Sequence, residues 1–179
     1  FLALAAHLYY SLVYTVWLKR RTPLNIVVGG VAGGIAPLLG SAAVTGGVDL
    51  SALLLALLIC LWTPPHFWAL ALVRRNEYGE AFVPVLPAAR GEEVTVEQMR
   101  LYSLCLIPVS GLLVLSGPNV GIFPALVLPG LSVWFSMRVQ ALVQLTHAGD
   151  PGRTGCALEV FNASIIYLAG MSAAITFST

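Results

Sequence analysis

The 179-residue chain is 58% hydrophobic and only 9% charged, with a formal net charge of +1. A soluble domain carries roughly 25% charged residues. This composition therefore excludes an ordinary water-soluble globule, and long apolar runs between short polar ones mark a polytopic membrane protein. The net charge says nothing about acidic partners; the apolar runs make the lipid bilayer the expected environment, and no nucleic acid is an expected ligand.

The first apolar span is predicted from about Phe1 to Leu18, stopping at Lys19-Arg20-Arg21-Thr22-Pro23. The second runs from about Leu24 to Val44 and the third from about Ser51 to Val73. A polar segment, Arg74 to Arg100, follows. The fourth span runs from about Leu101 to Ser116, and Gly117-Pro118-Asn119 makes a tight turn. The fifth runs from about Gly121 to Leu145, and the loop Thr146 to Gly155 precedes a sixth, about Cys156 to Phe177. Each is close to the ~20 residues that cross a ~30 Å hydrocarbon core, and prolines and glycines punctuate the ends. The expected fold is an all-α, polytopic membrane bundle of six transmembrane helices, forming part of a single domain over residues 1–179.

Alternating spans sort the loops onto two faces. One face receives Lys19, Arg20, Arg21, Arg74, Arg75, Arg90 and Arg153, while the other receives Val48, Asp49 and Asn119 and no Lys or Arg. That bias over short loops assigns the basic face to the cytoplasm. Both ends of the chain then lie outside, so a cytoplasmic N-terminus requires an odd number of spans before Phe1. The chain starts with Phe rather than Met, inside an apolar span, as a fragment would.

Polar groups inside or beside the spans are the candidates for chemistry. The basic run from Lys19 to Asn25 suits either lipid headgroups or a diphosphate, since Arg forks and Lys point charges both hold phosphate oxygens. Gly29, Gly30, Gly33 and Gly34 interleave two small-xxx-small pairs, which let a neighbouring helix approach closely. Cys60, Cys105 and Cys156 have no ligand spacing. Pro64 and Pro65 remove two amide donors from the third span, so the carbonyls of Cys60 and Leu61 are expected to lose their helical partners. His66 follows, about 12 Å from the end of that span at 1.5 Å per residue. An intramembrane His is either a functional group or an interhelical hydrogen bond. Trp62 and Trp68 flank the prolines as candidate walls for a flat apolar ligand, or as interfacial residues. Asn76, Glu77 and Glu80 offer oxygen ligands for a hard cation such as Mg²⁺, or a solvated loop. Glu92, Glu93 and Glu97 read as a solvated helix start. Arg138, inside the fifth span, either snorkels to the interface or faces a site. His7 and His147 read as structural.

The run YTVWLKRRTPLNIVVGGVAGGIAPLLGSAAVTG, followed by LWTPPHFWALALVRRNEY, VPVLPAARGEE and EVFNASIIYL, resembles the haem O synthase (protohaem IX farnesyltransferase) family of the UbiA superfamily of intramembrane prenyltransferases. The resemblance covers essentially the whole chain. It implies a nine-helix fold with a central cavity, of which this chain is spans four to nine. Three preceding spans would carry the first Asp-rich motif, and the chain alone is expected to be inactive.

The implied activity belongs to haem biosynthesis: a transferase moving a farnesyl group from farnesyl diphosphate to a vinyl group of haem B, with Mg²⁺ as cofactor. By position, the resemblance gives diphosphate binding to Lys19, Arg20 and Thr22, with Asn25 beside them, and makes Arg74 or Arg75 a partner for diphosphate or a haem propionate. Asn76 and Glu77 become metal ligands and Tyr78 a substrate-positioning residue. The usual Asp-Asp-Tyr reads Asn-Glu-Tyr here, with one charge fewer and one carboxylate a methylene further out. His66, Trp62, Trp68 and Arg138 become haem contacts. The expected location is the cell membrane with the site on the cytoplasmic face, and haem A synthase or oxidase assembly factors are the expected protein partners. The alternatives are a sister prenyltransferase acting on an aromatic quinone precursor, and a non-catalytic transporter or assembly subunit.

Overall fold

A computed structural model describes residues 2–19, 21–74, 84–116 and 121–176. Among them the chain is helical throughout. Helix α1 (Leu2–Leu8) passes directly into a π-helical stretch, Tyr9–Leu18. Helices α2 (Asn25–Thr45), α3 (Leu50–Val73), α4 (Leu86–Arg90), α5 (Glu92–Ser116), α6 (Ile122–His147) and α7 (Arg153–Thr176) follow. Five of these, α2, α3, α5, α6 and α7, are long and apolar enough to cross a membrane. The first predicted span is a shorter apolar stretch, Ala3–Leu18.

Two expectations need correction. The fourth span begins at Glu92, not near Leu101. Hydropathy sees only the apolar part of such a helix. The polar start is helical because Glu92 and Glu93 complement the helix dipole in the first turn, and the Thr95 hydroxyl donates to the Gly91 carbonyl at 2.7 Å. Helix α4 was not foreseen inside the polar segment. Its Pro87 suits the first turn, and Gly91, at φ +87°, ends it in a conformation that L side chains rarely adopt. Helix α3 runs through Pro64 and Pro65, both buried, over nearly the span predicted from Ser51 to Val73. In that turn the Thr63 hydroxyl donates to the Ile59 carbonyl at 2.7 Å, one residue before the Cys60 and Leu61 carbonyls that have no proline amide to accept from.

Side-chain contacts fix an antiparallel order. Gly30 abuts Thr63, and Gly34 abuts Ala56 and Cys60. Ser51 meets Ser116 across α3 and α5 at 2.9 Å. Ser132 of α6 donates to Ser110 of α5 at 3.0 Å and lies 3.1 Å from the Tyr167 hydroxyl of α7. Trp62 of α3 reaches Ser164 of α7. Residues 19–25, 74, 92, 147 and 153 therefore share one end of the bundle, and residues 45–50, 116 and 122 the other. The core lies between α3, α5, α6 and α7, filled by Trp68, Met99, Leu106, Phe135, Tyr167 and Met171, all fully buried. The buried serines act as polar glue where lipid supplies no hydrophobic drive for helix association.

The glycine pattern of α2 does the packing expected of it. A Cβ on Gly34 would stand 2.6 Å from Cys60 Sγ and 2.8 Å from the Ala56 carbonyl oxygen, and one on Gly29 2.7 Å from the Tyr14 ring. One stripe thus seats α3, while Gly29 takes the π-helical stretch.

Candidate functional site

Two polar regions lie toward the basic end. The first is the connection between the π-helical stretch and α2. The π pattern closes with the Lys19 amide bonded to the Tyr14 carbonyl at 2.8 Å. The carbonyl of Lys19 is then an orphan of a helix end, and Asn25 Nδ2 donates to it at 3.0 Å. The Asn25 amide donates to the Thr22 carbonyl at 3.2 Å, and Thr22 Oγ1 accepts from the Leu24 amide at 3.2 Å. Asn25 is 1% exposed, and its Oδ1 is buried with no partner among the described residues. The charged side chains point the other way, with Lys19 and Arg21 exposed. A buried amide thus holds a short loop whose cations face outward, an arrangement that can take phosphate oxygens. Arg74 caps the end of α3 at the same end of the bundle, its amide bonded to the Leu70 carbonyl at 3.0 Å. Arg20, Arg75, Asn76, Glu77 and Tyr78 lie outside the described residues.

The second region joins α3 to α7. The His66 ring lies between two aromatic faces, Trp62 at 4.4 Å between centroids and Phe161 at 4.9 Å, both nearly parallel to it. Phe67 meets its edge at 5.1 Å. His66 Nδ1 is 2.6 Å from Ser164 Oγ, and Trp62 Nε1 donates to the Ser164 carbonyl at 2.9 Å. Both alternatives weighed for His66 bear on this geometry: it makes an interhelical hydrogen bond, and it stands half-buried in an aromatic slot. The Trp68–Tyr102 ring contact across α3 and α5, with centroids 5.7 Å apart, sets the depth. It places His66 within about a turn of the start of the apolar part of α5, close to the basic end.

The remaining candidates separate from this cluster. Trp68 turns into the core, fully buried against Tyr102, its Nε1 without a partner among the described residues. Six residues of α-helix put it on a different face from Trp62, so the two tryptophans do not wall one slot. Arg138 pairs with Glu159 of α7 at 3.9 Å and lies 5.9 Å over the Trp134 ring. Glu97 ties Arg100 at 2.6 Å and His147 at 3.4 Å, and Glu92 holds Arg153 at 2.9 Å. These acidic residues therefore staple α5 to the α6–α7 connection rather than standing free in solvent. A cleft of about 430 Å³ beside them is lined by Arg90, Glu92, Glu93, Thr146 and Arg153, among others, and none of the residues assigned to a substrate lines it.

Sequence reasoning missed Ser164, Phe161 and Glu159. Ser164 and Phe161 sit in EVFNASIIYL with no local signal, since their partners are almost a hundred residues away. Glu159 was findable as a carboxylate inside an apolar span. Among the described residues no three His, Cys, Asp or Glu side chains gather as a metal site, and Asn76 and Glu77 lie outside those residues.

Comparison with known proteins adds the following. The chain matches the UbiA prenyltransferase family over residues 1–155. It is 46% identical over 167 residues to the protoheme IX farnesyltransferase of Picosynechococcus sp., covering 93% of this chain and 51% of that one. It is 57% identical over 116 residues to the protoheme IX farnesyltransferase of Symbiobacterium thermophilum, covering 65% and 39%. It is 43% identical over 170 residues to protoheme IX farnesyltransferase 2 of Mesorhizobium japonicum, covering 93% and 52%. The chain thus spans about half the length, or less, of these relatives. No solved structure gives a significant match.

Proposed function

The chain belongs to the UbiA prenyltransferase family, and on that footing we propose that its protein transfers a farnesyl group from farnesyl diphosphate to a vinyl group of haem B, making haem O. The observation that carries this reading is the 46% identity over 93% of the chain to a protein named for that reaction. The geometry supports it. A loop with outward-facing cations and an aromatic slot with an imidazole both lie toward one end of the bundle, where a diphosphate and a flat macrocycle would meet.

In this reading Lys19, Arg20 and Thr22 hold the diphosphate, Asn25 shapes their loop, and Arg74 or Arg75 pairs with diphosphate or a propionate. These cations stabilise charge that grows on the leaving group as the allylic C–O bond breaks, which lowers the barrier more than it strengthens ground-state binding. Mg²⁺, held by Asn76 and Glu77 with Tyr78 beside them, would supply further charge neutralisation at the diphosphate. His66 and Trp62 take the haem, while Trp68 supports the core behind them and Arg138 pairs with Glu159 away from the slot. An apolar bundle keeps bulk water from the allylic cation until the vinyl carbon captures it; one water then adds to the cation left beside the macrocycle and loses a proton, giving the hydroxyethylfarnesyl side chain, and diphosphate departs. The basic end faces the cytoplasm, by the loop-charge rule, in the cell membrane. Haem A synthase or oxidase assembly factors would receive the product.

Haem extracted from cells expressing the complete gene tests this. A farnesylated haem should appear, and Lys19→Gln should lower kcat more than it raises the KM for farnesyl diphosphate. A prenylated quinone precursor without haem O would replace this reading with the sister activity. No prenyl transfer at all, with Glu77→Gln silent, would leave a non-catalytic membrane protein.

A further inference from the structure

The polar atoms around His66 can be followed one by one, and together they fix a proton. Ser164 Oγ carries a single hydrogen and donates it to the Phe161 carbonyl within its own helix. With that hydrogen on the carbonyl it offers lone pairs to His66 Nδ1, 2.6 Å away, and the imidazole donates in that bond. A neutral imidazole with its hydrogen on Nδ1 carries its lone pair on Nε2. The ring cannot readily turn to exchange the two nitrogens. Trp62 and Phe161 cover its faces with interplanar angles of 18° and 24°, and Phe67 stands against its edge at 83°. Trp62 is itself anchored, by its indole N–H on the Ser164 carbonyl at 2.9 Å. Nε2 has no hydrogen-bond partner among the described residues, yet it is not one of the buried unpartnered atoms there. It is an accessible lone pair in a clamped ring.

We propose that Ser164 is a positioning residue that holds His66 in its Nδ1–H form and so presents Nε2 as the axial ligand to the iron of the haem substrate. The proposal rests on the farnesyl-transfer reading above. The step is a coordinate bond from the Nε2 lone pair to iron, with no electron transferred and no proton released. A ligating histidine ordinarily donates its other ring N–H to an acceptor that sets its tautomer and orientation. Here that acceptor is a hydroxyl whose own hydrogen is committed to a carbonyl. The consequence for the reaction is positional: one iron–nitrogen bond leaves the macrocycle only rotation about that axis to bring a vinyl group toward the basic end.

The complete encoded protein, in detergent, should be titrated with ferric protohaem and with metal-free protoporphyrin IX. Wild type should show the optical and EPR signature of imidazole-bound iron and prefer protohaem over the metal-free ring at least tenfold. His66→Ala should lose both the signature and the preference, and added imidazole should restore the signature. Ser164→Ala should weaken protohaem binding about tenfold and shift the spectrum, leaving protoporphyrin binding unchanged, while Ser164→Thr should behave as wild type. If Ser164→Ala does not fold, Ser164→Cys keeps the size with a poorer acceptor and should fall between the two. The proposal is overturned if His66→Ala keeps the signature, or if Ser164→Ala changes neither probe or weakens both equally. Imidazole-bound iron without farnesylated product would sink the functional reading and leave this site standing. Farnesylated product without the signature would sink this site alone.

Discussion

The two polar regions are ordered by opposite means. Among the described residues of the Lys19–Asn25 loop the fixing bonds are local: Asn25 reaches Lys19 six residues back, and Thr22 accepts from Leu24 two residues on. Around His66 the fixing bonds join residues 98 and 102 apart on two helices. The loop therefore needs little beyond its own hairpin to take its shape, whereas the His66 slot exists only once α3 and α7 have docked. Among the described residues of the loop, Lys19 and Arg21 turn their charged ends outward, as an anion site requires. The slot commits every polar atom except one nitrogen. Local order suits a site that accepts a mobile, highly charged group, and long-range order suits one that must hold a rigid ring in one orientation.

The strongest way to break this contrast is to separate the helices that both regions share. Gly34→Val puts carbon where the Ala56 carbonyl and Cys60 Sγ already lie within 2.8 Å, so α2 must move off α3. Overpacking of this kind costs about 3 kcal/mol, read as a lower Tm in detergent. Because α2 carries Asn25 and α3 carries His66, farnesyl diphosphate and protohaem binding should both suffer. Gly40→Ala, with open space at its Cβ, should be neutral or slightly stabilising. Equal effects at the two glycines would refute the packing account.

Asn25→Ala acts on one region only. It removes the amide that satisfies the Lys19 carbonyl, a loss of about 1–3 kcal/mol for a buried group left unpaired. It also removes an Oδ1 that has no partner among the described residues, which offsets part of the stability cost. The expected result is a KM for farnesyl diphosphate raised about tenfold, with a smaller change in Tm and an unaltered haem spectrum. A changed spectrum with an unchanged KM would reverse the assignment of the two regions. Trp62→Phe is the complementary test. It keeps an aromatic face on His66 but loses the indole bond to Ser164, which costs about 1 kcal/mol in stability, and it should leave that KM alone.

The same contrast explains what could be read from the sequence. Helix positions followed from apolar runs against a bilayer, and the glycine stripes followed from spacing, because both depend on near neighbours along the chain. The basic loop was legible for the same reason. Glu92, Glu93 and Glu97 read as a helix start, but hydropathy, blind to a polar helix that rises out of the membrane, did not join them to the span beginning near Leu101. Ser164 was invisible since nothing within ten residues distinguishes it from the other buried serines. Trp68 was paired with Trp62 by adjacency in sequence, although six residues of helix turn it to a different face, into the core.

Arg138 calls for the smallest effect, and the reason is its depth. Ser136 donates to the Ser103 carbonyl at 2.8 Å, which sets Arg138 level with the first residues of the apolar part of α5. A guanidinium there reaches the interface along its own stem and escapes most of the cost that a charge meets at the bilayer centre. Its partner Glu159 stands 3.9 Å away, and the two side chains are 52% and 69% exposed. Pairs so open contribute about 0–1 kcal/mol. A double-mutant cycle with Arg138→Gln and Glu159→Gln should therefore show coupling below about 0.5 kcal/mol, with protohaem affinity within a factor of two. Coupling of several kcal/mol, or a lost haem signature in Arg138→Gln, would mean that the pair faces a closed, dry site. The His66 slot would then extend across α7 to α6, and the contrast between a local loop and a two-helix slot would have to be redrawn around three helices.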